Sequence, residues 1–455
     1  MITVKYEFWS PTYIRRNPAN VMKIGFLSKS RGLRNLGSRI FTVTRHFGMS
    51  PNRFNRRLEQ YYKLVREAGC LPTFAITAVV LARHPEYIRK LSAGGVEFTI
   101  HGYMHIDYKV VDNRKMNEHF SEAIRVFNDC HIPFVGFRAP FLRINNNTSP
   151  ILSELNFLYN SSQALWWPVD TGQYSEHIRD NLDLLLQFYT PLNADEYLSL
   201  PRFNDNLIEL PVSIPDDEAL IERLGITDPK KISDIWLDIL EKTYHRGEMF
   251  NLSLHPERVE YCETSLLEVI KKARQYDAPV WIATLREVTE WWREKEKFAI
   301  DVKSVGEGSY RIKAICSERA TLISKNCKIS VPVKSWFDGY QQVLSTEFTL
   351  ESSVAPIIGL SSNSNPAVIK YLESEGYIVD IHRKYPNYAI YLGEIKKFSH
   401  TDEKPLSEKI ERAEVPLLRY WRWPDGARSV LSITGDIDSI TLWDFALRIW
   451  ESKFS

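Results

Sequence analysis

From Ser50 onward the chain alternates between stretches with apolar residues at helical spacing and short apolar runs bounded by Gly, Pro or polar residues. The spacing predicts helices over 53–68, 84–92, 114–128, 233–245 and 264–276, with another beginning near Thr148. The helix over 84–92 meets a stop at Gly94-Gly95. Between the helices lie strand patterns: P-T-F-A-I-T-A (72–78), V-E-F-T-I (96–100), P-F-V-G-F-R (133–138) and L-Y-N-S-S (158–162). L-I-E-L-P-V-S (207–213) follows a less regular stretch, and F-N-L-S-L-H (250–255) and P-V-W-I-A-T (279–284) complete the series before a Trp-bearing helix. Mostly apolar strands alternating with helices predict a parallel sheet covered by helices, in a barrel or a doubly wound arrangement.

The pattern changes near Phe298. Short alternating segments such as S-Y-R-I-K-A-I and C-K-I-S-V-P-V predict a small antiparallel unit over 298–352, and 353–395 reads as strand, helix and strand. The expected organisation is an N-terminal extension (1–48), the main part of a barrel (49–297), an inserted β-rich and α+β region (298–400), a charged linker (401–414) and a C-terminal strand and helix that complete the barrel (415–455). That last strand lies within R-S-V-L-S-I-T-G-D-I-D-S, residues 428–439.

Composition narrows the function. A chain of 455 residues, 44% hydrophobic and 25% charged, is a folded protein of more than one core. A formal net charge of +1 argues against nucleic acid as a partner. The first 25 residues carry no signal-type apolar run, and no apolar stretch is long enough to span a bilayer. Five scattered cysteines without C-x-x-C spacing read as free thiols. The expectation from these features is a cytoplasmic protein without integral membrane segments; oligomeric state is left open.

Chemistry concentrates at predicted strand ends. His101 and His105, in H-G-Y-M-H, follow one strand and are four apart, so one helical turn would aim both imidazoles at a common point. Asp436 and Asp438 follow another strand, where an acidic loop capping the next helix is the plainer reading. Two imidazoles and a carboxylate match the ligand set of an open metal site, which needs about three protein ligands and one free position. His255, before Pro256, reads on its own as a buried hydrogen-bonding histidine, and Arg138 as the partner of a core carboxylate. Trp166 and Trp167 read as core or as a sugar-stacking platform. Asp216 and Asp217 read as loop acids or as contacts to sugar hydroxyls or an amine.

H-G-Y-M-H, G-F-R-A-P-F, Y-N-S-S, L-S-L-H-P and I-T-G-D-I-D together resemble the successive motifs of the polysaccharide deacetylase (NodB-like) family of carbohydrate esterases, over about residues 50–296 and 415–455. The resemblance implies a distorted (β/α)7-type barrel. The family's aspartate strand normally opens the domain, whereas here it closes the chain, so the resemblance implies a circular permutant. It further implies a divalent metal, zinc first, with Co2+, Ni2+ or Mn2+ as alternatives, held by Asp438, His101 and His105. Asp436 would be the general base, Arg138 its ion-pair partner, His255 the general acid, and the Phe141 backbone N–H an oxyanion donor. Asn160 departs from the family, which often carries aspartate there; an ion pair of that position with Arg138 is thereby put in doubt. The implied activity is N-deacetylation of an amino sugar in a saccharide. A catalytically inactive glycan-binding or scaffold protein, and a metal amidase acting on a non-sugar amide, are the alternatives.

Overall fold

The computed structural model describes residues 51–169, 176–384 and 387–454; the expected N-terminal extension lies outside them. The main sheet takes its strands from both ends of the chain. In sequence order they are β1 (Thr73–Ile76), β2 (Glu97–Ile100), β3 (Gly136–Phe137), β4 (Tyr159–Asn160), β5 (Ala164–Trp166), β6 (Leu192–Asn193), β7 (Arg202–Asn204), β8 (Leu207–Glu209), β9 (Val212–Ile214), β10 (Met249–Ser253) and β11 (Val280–Ile282). The C-terminal strand, Ser429–Ile437, enters at the centre. The spatial order is β6-β5-β9-β10-C-terminal strand-β1-β2-β3-β4-β8-β7, with β11 also paired to the C-terminal strand. Every pairing is parallel except β7 with β8. The result is an α/β fold with an open, curled sheet covered by helices, a distorted barrel.

The central strands are buried throughout, including polar residues such as Glu97, Thr99, Asn251, Ser432 and Thr434, so a polar position within them does not mark a solvent face. Phe74, Ile76, Phe98, Ile100, Phe137, Leu252, Ile433 and Ile437 belong to one core cluster. Each such side chain is worth about 1.5–3 kcal/mol when fully buried, so the distant C-terminal strand is held as firmly as its neighbours. The helix Pro51–Glu67 packs across it, and the Tyr61 hydroxyl donates to the Thr434 carbonyl at 3.1 Å.

Three segments differ from their sequence expectation. The run 207–213 is two strands, broken at Leu210-Pro211. β8 pairs with β4, while β9 crosses over to lie between β5 and β10. Pro211 has no N–H to give a ladder, so one uninterrupted strand is disfavoured there. The less regular stretch before it holds β5, β6, β7 and the helix Glu176–Tyr189. These strands are two or three residues long, too short to leave a periodic signal. The charged stretch 401–414, expected as a linker, contains a helix, His400–Arg412, opened by reciprocal capping between Ser399 and Asp402. Its Glu403, Lys404, Ser407 and Ile410 are buried, so this is a packed helix that takes two of its charged residues inward, Lys404 bonding the Ala194 carbonyl.

The inserted region builds two four-stranded sheets, followed by a three-stranded parallel unit around the helix Pro366–Ser374. One of the four-stranded sheets recruits Leu417–Tyr420, which pairs antiparallel with Leu322–Lys325. The barrel therefore resumes at Ser429 rather than at Val415.

Gly435 marks a close approach. A Cβ there would lie 2.2 Å from the Leu254 carbonyl oxygen, at the point where β10 and the C-terminal strand deliver their functional side chains. Gly435→Ala is expected to destabilise the protein by about 1–3 kcal/mol through overpacking. Its midpoint in urea should fall; an unchanged midpoint would show that the two strands can separate freely.

Candidate metal centre

Parallel register sets the stage. Ile437, Ile76, Ile100, Phe137 and Asn160 are aligned neighbours across five strands. The residue that follows on four of them is Asp438, His101, Arg138 and Ser161, all at the C-terminal edge of the sheet. Backbone bonds continue the ladder one step further: His101 N donates to Ile76 O, Arg138 N to Ile100 O and Ser161 N to Phe137 O. His255 stands two residues beyond β10 on the neighbouring side of the C-terminal strand. Chemistry at the C-terminal strand ends is the general rule for such sheets.

His101, His105 and Asp438 each offer a ligand atom within 4.8 Å of the other two, and all three are buried. His101 Nε2 lies 3.3 Å from Asp438 Oδ1, and His105 Nε2 lies 3.3 Å from Asp438 Oδ2. His101 Nδ1 is 2.8 Å from the Arg138 carbonyl oxygen, which fixes that nitrogen as the N–H and leaves Nε2 as a lone pair facing the centre. Both His101 Nε2 and Asp438 Oδ1 are sealed from solvent without a hydrogen bond of good geometry. Buried polar atoms are almost always satisfied, and a divalent cation would satisfy these two at once, so the donor set fits such a group. Burial pushes His105 down to about 3, with Arg448 and His101 adding to the effect and Asp438 opposing it. The neutral imidazole this leaves is the form a metal requires. Burial alone would raise Asp438, but His105, Arg448 and His101 hold it well below the carboxylate range. The spacing of the two histidines works differently from expectation: they sit in a bend after β2, with no helical turn between them, their rings 5.3 Å apart.

Arg138 is 1% exposed and occupies the floor. Its Nη1 donates to Asp436 Oδ1 at 3.0 Å and to Thr434 Oγ1 at 2.9 Å, while Nε and Nη2 reach the carbonyl and hydroxyl of Ser161. Asp436 Oδ2 lies 3.8 Å from His101 Nε2, so this carboxylate touches both the arginine and the histidine cluster. Asn160 does not face Arg138. Its amide bonds Ser162 and Ser149, and Ser149 passes the contact on to Glu209. The ion pair questioned for position 160 is made by Asp436 instead, and the amide at 160 leaves it intact.

His255 forms a second unit. Its Nδ1 is 2.8 Å from Asp217 Oδ1, and its backbone N–H donates to Asp217 Oδ2 at 2.7 Å. Burial alone would lower this histidine, but Asp217 outweighs burial and Arg258 and raises it well above its ordinary value. Asp217 is fully buried and takes the role of an orienting partner rather than that of a surface contact to a saccharide. Asp216 accepts from Ala219 N at 2.8 Å in the turn after β9, and burial, reinforced by Asp217 and Glu218, pushes it up to about 7. Neither acid lies on an exposed surface. Trp167 is fully buried with its indole N–H on Ser213 Oγ, and Trp166 is 7% exposed in the same core cluster. The indoles are packing elements here, not an open platform. Phe141 adopts φ 63 and sets its ring edge-on to His105 at 4.5 Å.

Two participants escaped the sequence reading. Arg448, on the helix Leu442–Phe454, donates to Asp438 Oδ2 at 2.7 Å. Thr434, two residues before Asp436 on the same strand face, shares Arg138 with it. The period-2 repeat of Thr434, Asp436 and Asp438 was the available signal for the second; for the first there was only helical folding back of the chain.

An α/β barrel with imidazoles and carboxylates converging at its strand ends has the framework of a hydrolase. Residues 42–159 match the polysaccharide deacetylase family model. The matched span carries His101, His105, Arg138 and Phe141 and stops before His255, Asp436 and Asp438. Among solved structures, one described as a probable polysaccharide deacetylase from Pseudomonas aeruginosa PAO1 is 22% identical, with TM-score 0.42, over 52% of this chain and 73% of that one. Puue allantoinase is 20% identical, with TM-score 0.42, over 52% of this chain and 72% of that one. No curated protein matches the chain. Among the described residues no helix is long and apolar enough to cross a membrane.

Proposed function

We propose that this protein is a metal-dependent N-deacetylase that removes acetyl from an amino sugar in a saccharide or glycan-biosynthesis intermediate. The observation that carries the reading is the convergence of Asp438 with His101 and His105 across more than 300 residues of chain. These three would hold a divalent cation, zinc first and Co2+, Ni2+ or Mn2+ as alternatives. When bound it supplies Lewis-acid polarisation of the acetamide carbonyl and a lowered pKa for water. Asp436 takes the proton from the attacking water, and Arg138 aims its carboxylate. His255, kept protonated by Asp217, gives a proton to the departing sugar amine, a poor leaving group without it. The Phe141 backbone N–H is assigned to the developing oxyanion. The domain is read as a circular permutant, supported by the C-terminal strand lying between β10 and β1. All five cysteines are free, in keeping with a cytoplasmic, reducing site of action.

The test is acetate release by zinc-loaded protein from N-acetylhexosamines presented free, nucleotide-linked and lipid-linked. Release from at least one, abolished in a metal-free variant, is the expected result. Loaded protein that binds a saccharide of the panel and releases nothing would favour the glycan-binding alternative.

The pH profile gives a further expectation. Because His255 is raised, its proton-bearing form persists past neutrality, and activity should fall only as pH rises through that elevated value. Asp217→Asn removes the raising charge, so the alkaline limb should move to lower pH and kcat should drop by about 100-fold or more. An alkaline limb that stays in place would remove His255 from the role of acid.

A further inference from the structure

Away from the metal centre, a cavity of about 290 Å3 lies where the helix Leu285–Lys295 meets the inserted region. The rings of Phe203, Phe298, Tyr377 and Tyr420 form walls, so the barrel and the inserted units build it jointly. Lys295 ends the helix and lines this space with 5% of its surface exposed. Its Nζ stands 3.5 Å from the centroid of the Trp292 ring and donates one long hydrogen bond, 3.5 Å, to the Arg422 carbonyl. An ammonium has three donors, and among the described residues no carboxylate forms an ion pair with this one.

The carboxylates nearby are already committed. Glu375 is taken by Arg422, at 2.8 Å from Nε and 2.5 Å from Nη2, and Glu411 by Arg419 at 2.5 Å. Arg422 and Arg419 thus take these two carboxylates, and Lys295 forms an ion pair with neither. Burial pushes its ammonium well below the lysine range, with Glu375 opposing and Arg419 and Arg422 adding to the effect. Lys370, Glu296 and Glu373 stand at the rim, exposed to solvent, where water screens them.

We infer that this junction cavity is a binding site for a small flat organic anion, its ring against the aromatic walls and its carboxylate or phosphate on Lys295. The ligand supplies the missing counter-charge, and the aromatic walls supply apolar contact and ring–ring packing. The site is independent of the metal centre and of the deacetylase reading.

Phenyl phosphate is a suitable probe, titrated calorimetrically into the full-length, metal-loaded protein, with inorganic phosphate and phenol as separate arms. Wild type should bind phenyl phosphate saturably, and at least tenfold more tightly than either fragment. Lys295→Met, which keeps the apolar stem and removes the amine, should weaken binding at least tenfold with metal content unchanged. Phe203→Ala, a change at a half-buried wall residue on the margin of a core cluster, should weaken it also and reads the site if Lys295→Met folds poorly. Equal binding by wild type and both variants, or no saturable binding to wild type, would overturn the assignment.

Discussion

Asp438→Ala and His101→Ala are each expected to strip the protein of metal, from near one ion per chain after zinc reconstitution to a small fraction of that. Partners that merely orient a ligand are worth about 10–100-fold in metal affinity, so deleting a ligand should cost more. His101 is a strong test because its tautomer is fixed by the Arg138 carbonyl, leaving Nε2 no role except toward the centre. Asp438→Ala tests a different point, the meeting of the two chain ends. It also leaves Arg448 without its 2.7 Å partner, and breaking a buried pair costs about 3–5 kcal/mol. Asp438→Asn, which keeps the shape, should accompany it, with circular dichroism to verify folding. Metal content measured by mass spectrometry decides the matter. Wild type without metal, or full loading in His101→Ala and Asp438→Asn, would dismantle the proposed centre.

Asp436→Asn is expected to separate chemistry from metal binding. The amide preserves the shape of the side chain and an oxygen to accept from Arg138 Nη1, now 3.0 Å away, but it is not a base. General-base catalysis contributes about 100- to 10,000-fold, so kcat should fall by that order while metal stoichiometry stays near that of wild type. Turnover comparable to wild type would remove Asp436 from the mechanism. Parallel loss of metal and activity would instead make it a ligand, a role its 3.8 Å approach to His101 Nε2 makes worth measuring.

Much of this site was legible in the sequence because strand ends are legible. V-E-F-T-I before His101, P-F-V-G-F before Arg138 and S-V-L-S-I-T-G before Asp436 are runs rich in β-branched and aromatic residues, and the functional polar residue that follows each emerges at the same edge. The positions that could not be read have a common cause. Asp217 and His255 are 38 residues apart in sequence, and their 2.8 Å bond depends on the turn after β9 meeting the end of β10. Asn160 looked like a lost partner of Arg138, yet successive strand residues point to opposite faces, and it is Ser161 that meets the arginine. Trp166 and Trp167 carry no mark in the sequence that separates a core indole from an exposed one.

The residue types and their strand-end positions follow from local physics: strand runs bury their apolar residues, and the polar residues just past them gather at one sheet edge, where they too are buried. That much assigned an α/β sheet, the histidine and aspartate clusters, and the switch of character near residue 298. What the tertiary structure alone decided was adjacency. The C-terminal strand could have paired at an edge or within the inserted region, as Leu417–Tyr420 does. It lies instead between β10 and β1, in a register that sets Asp436 beside Ala75 and Ile437 beside Ile76. Register across a parallel sheet is a property of several strands at once, fixed by which buried faces fit together, and no single segment of sequence encodes it.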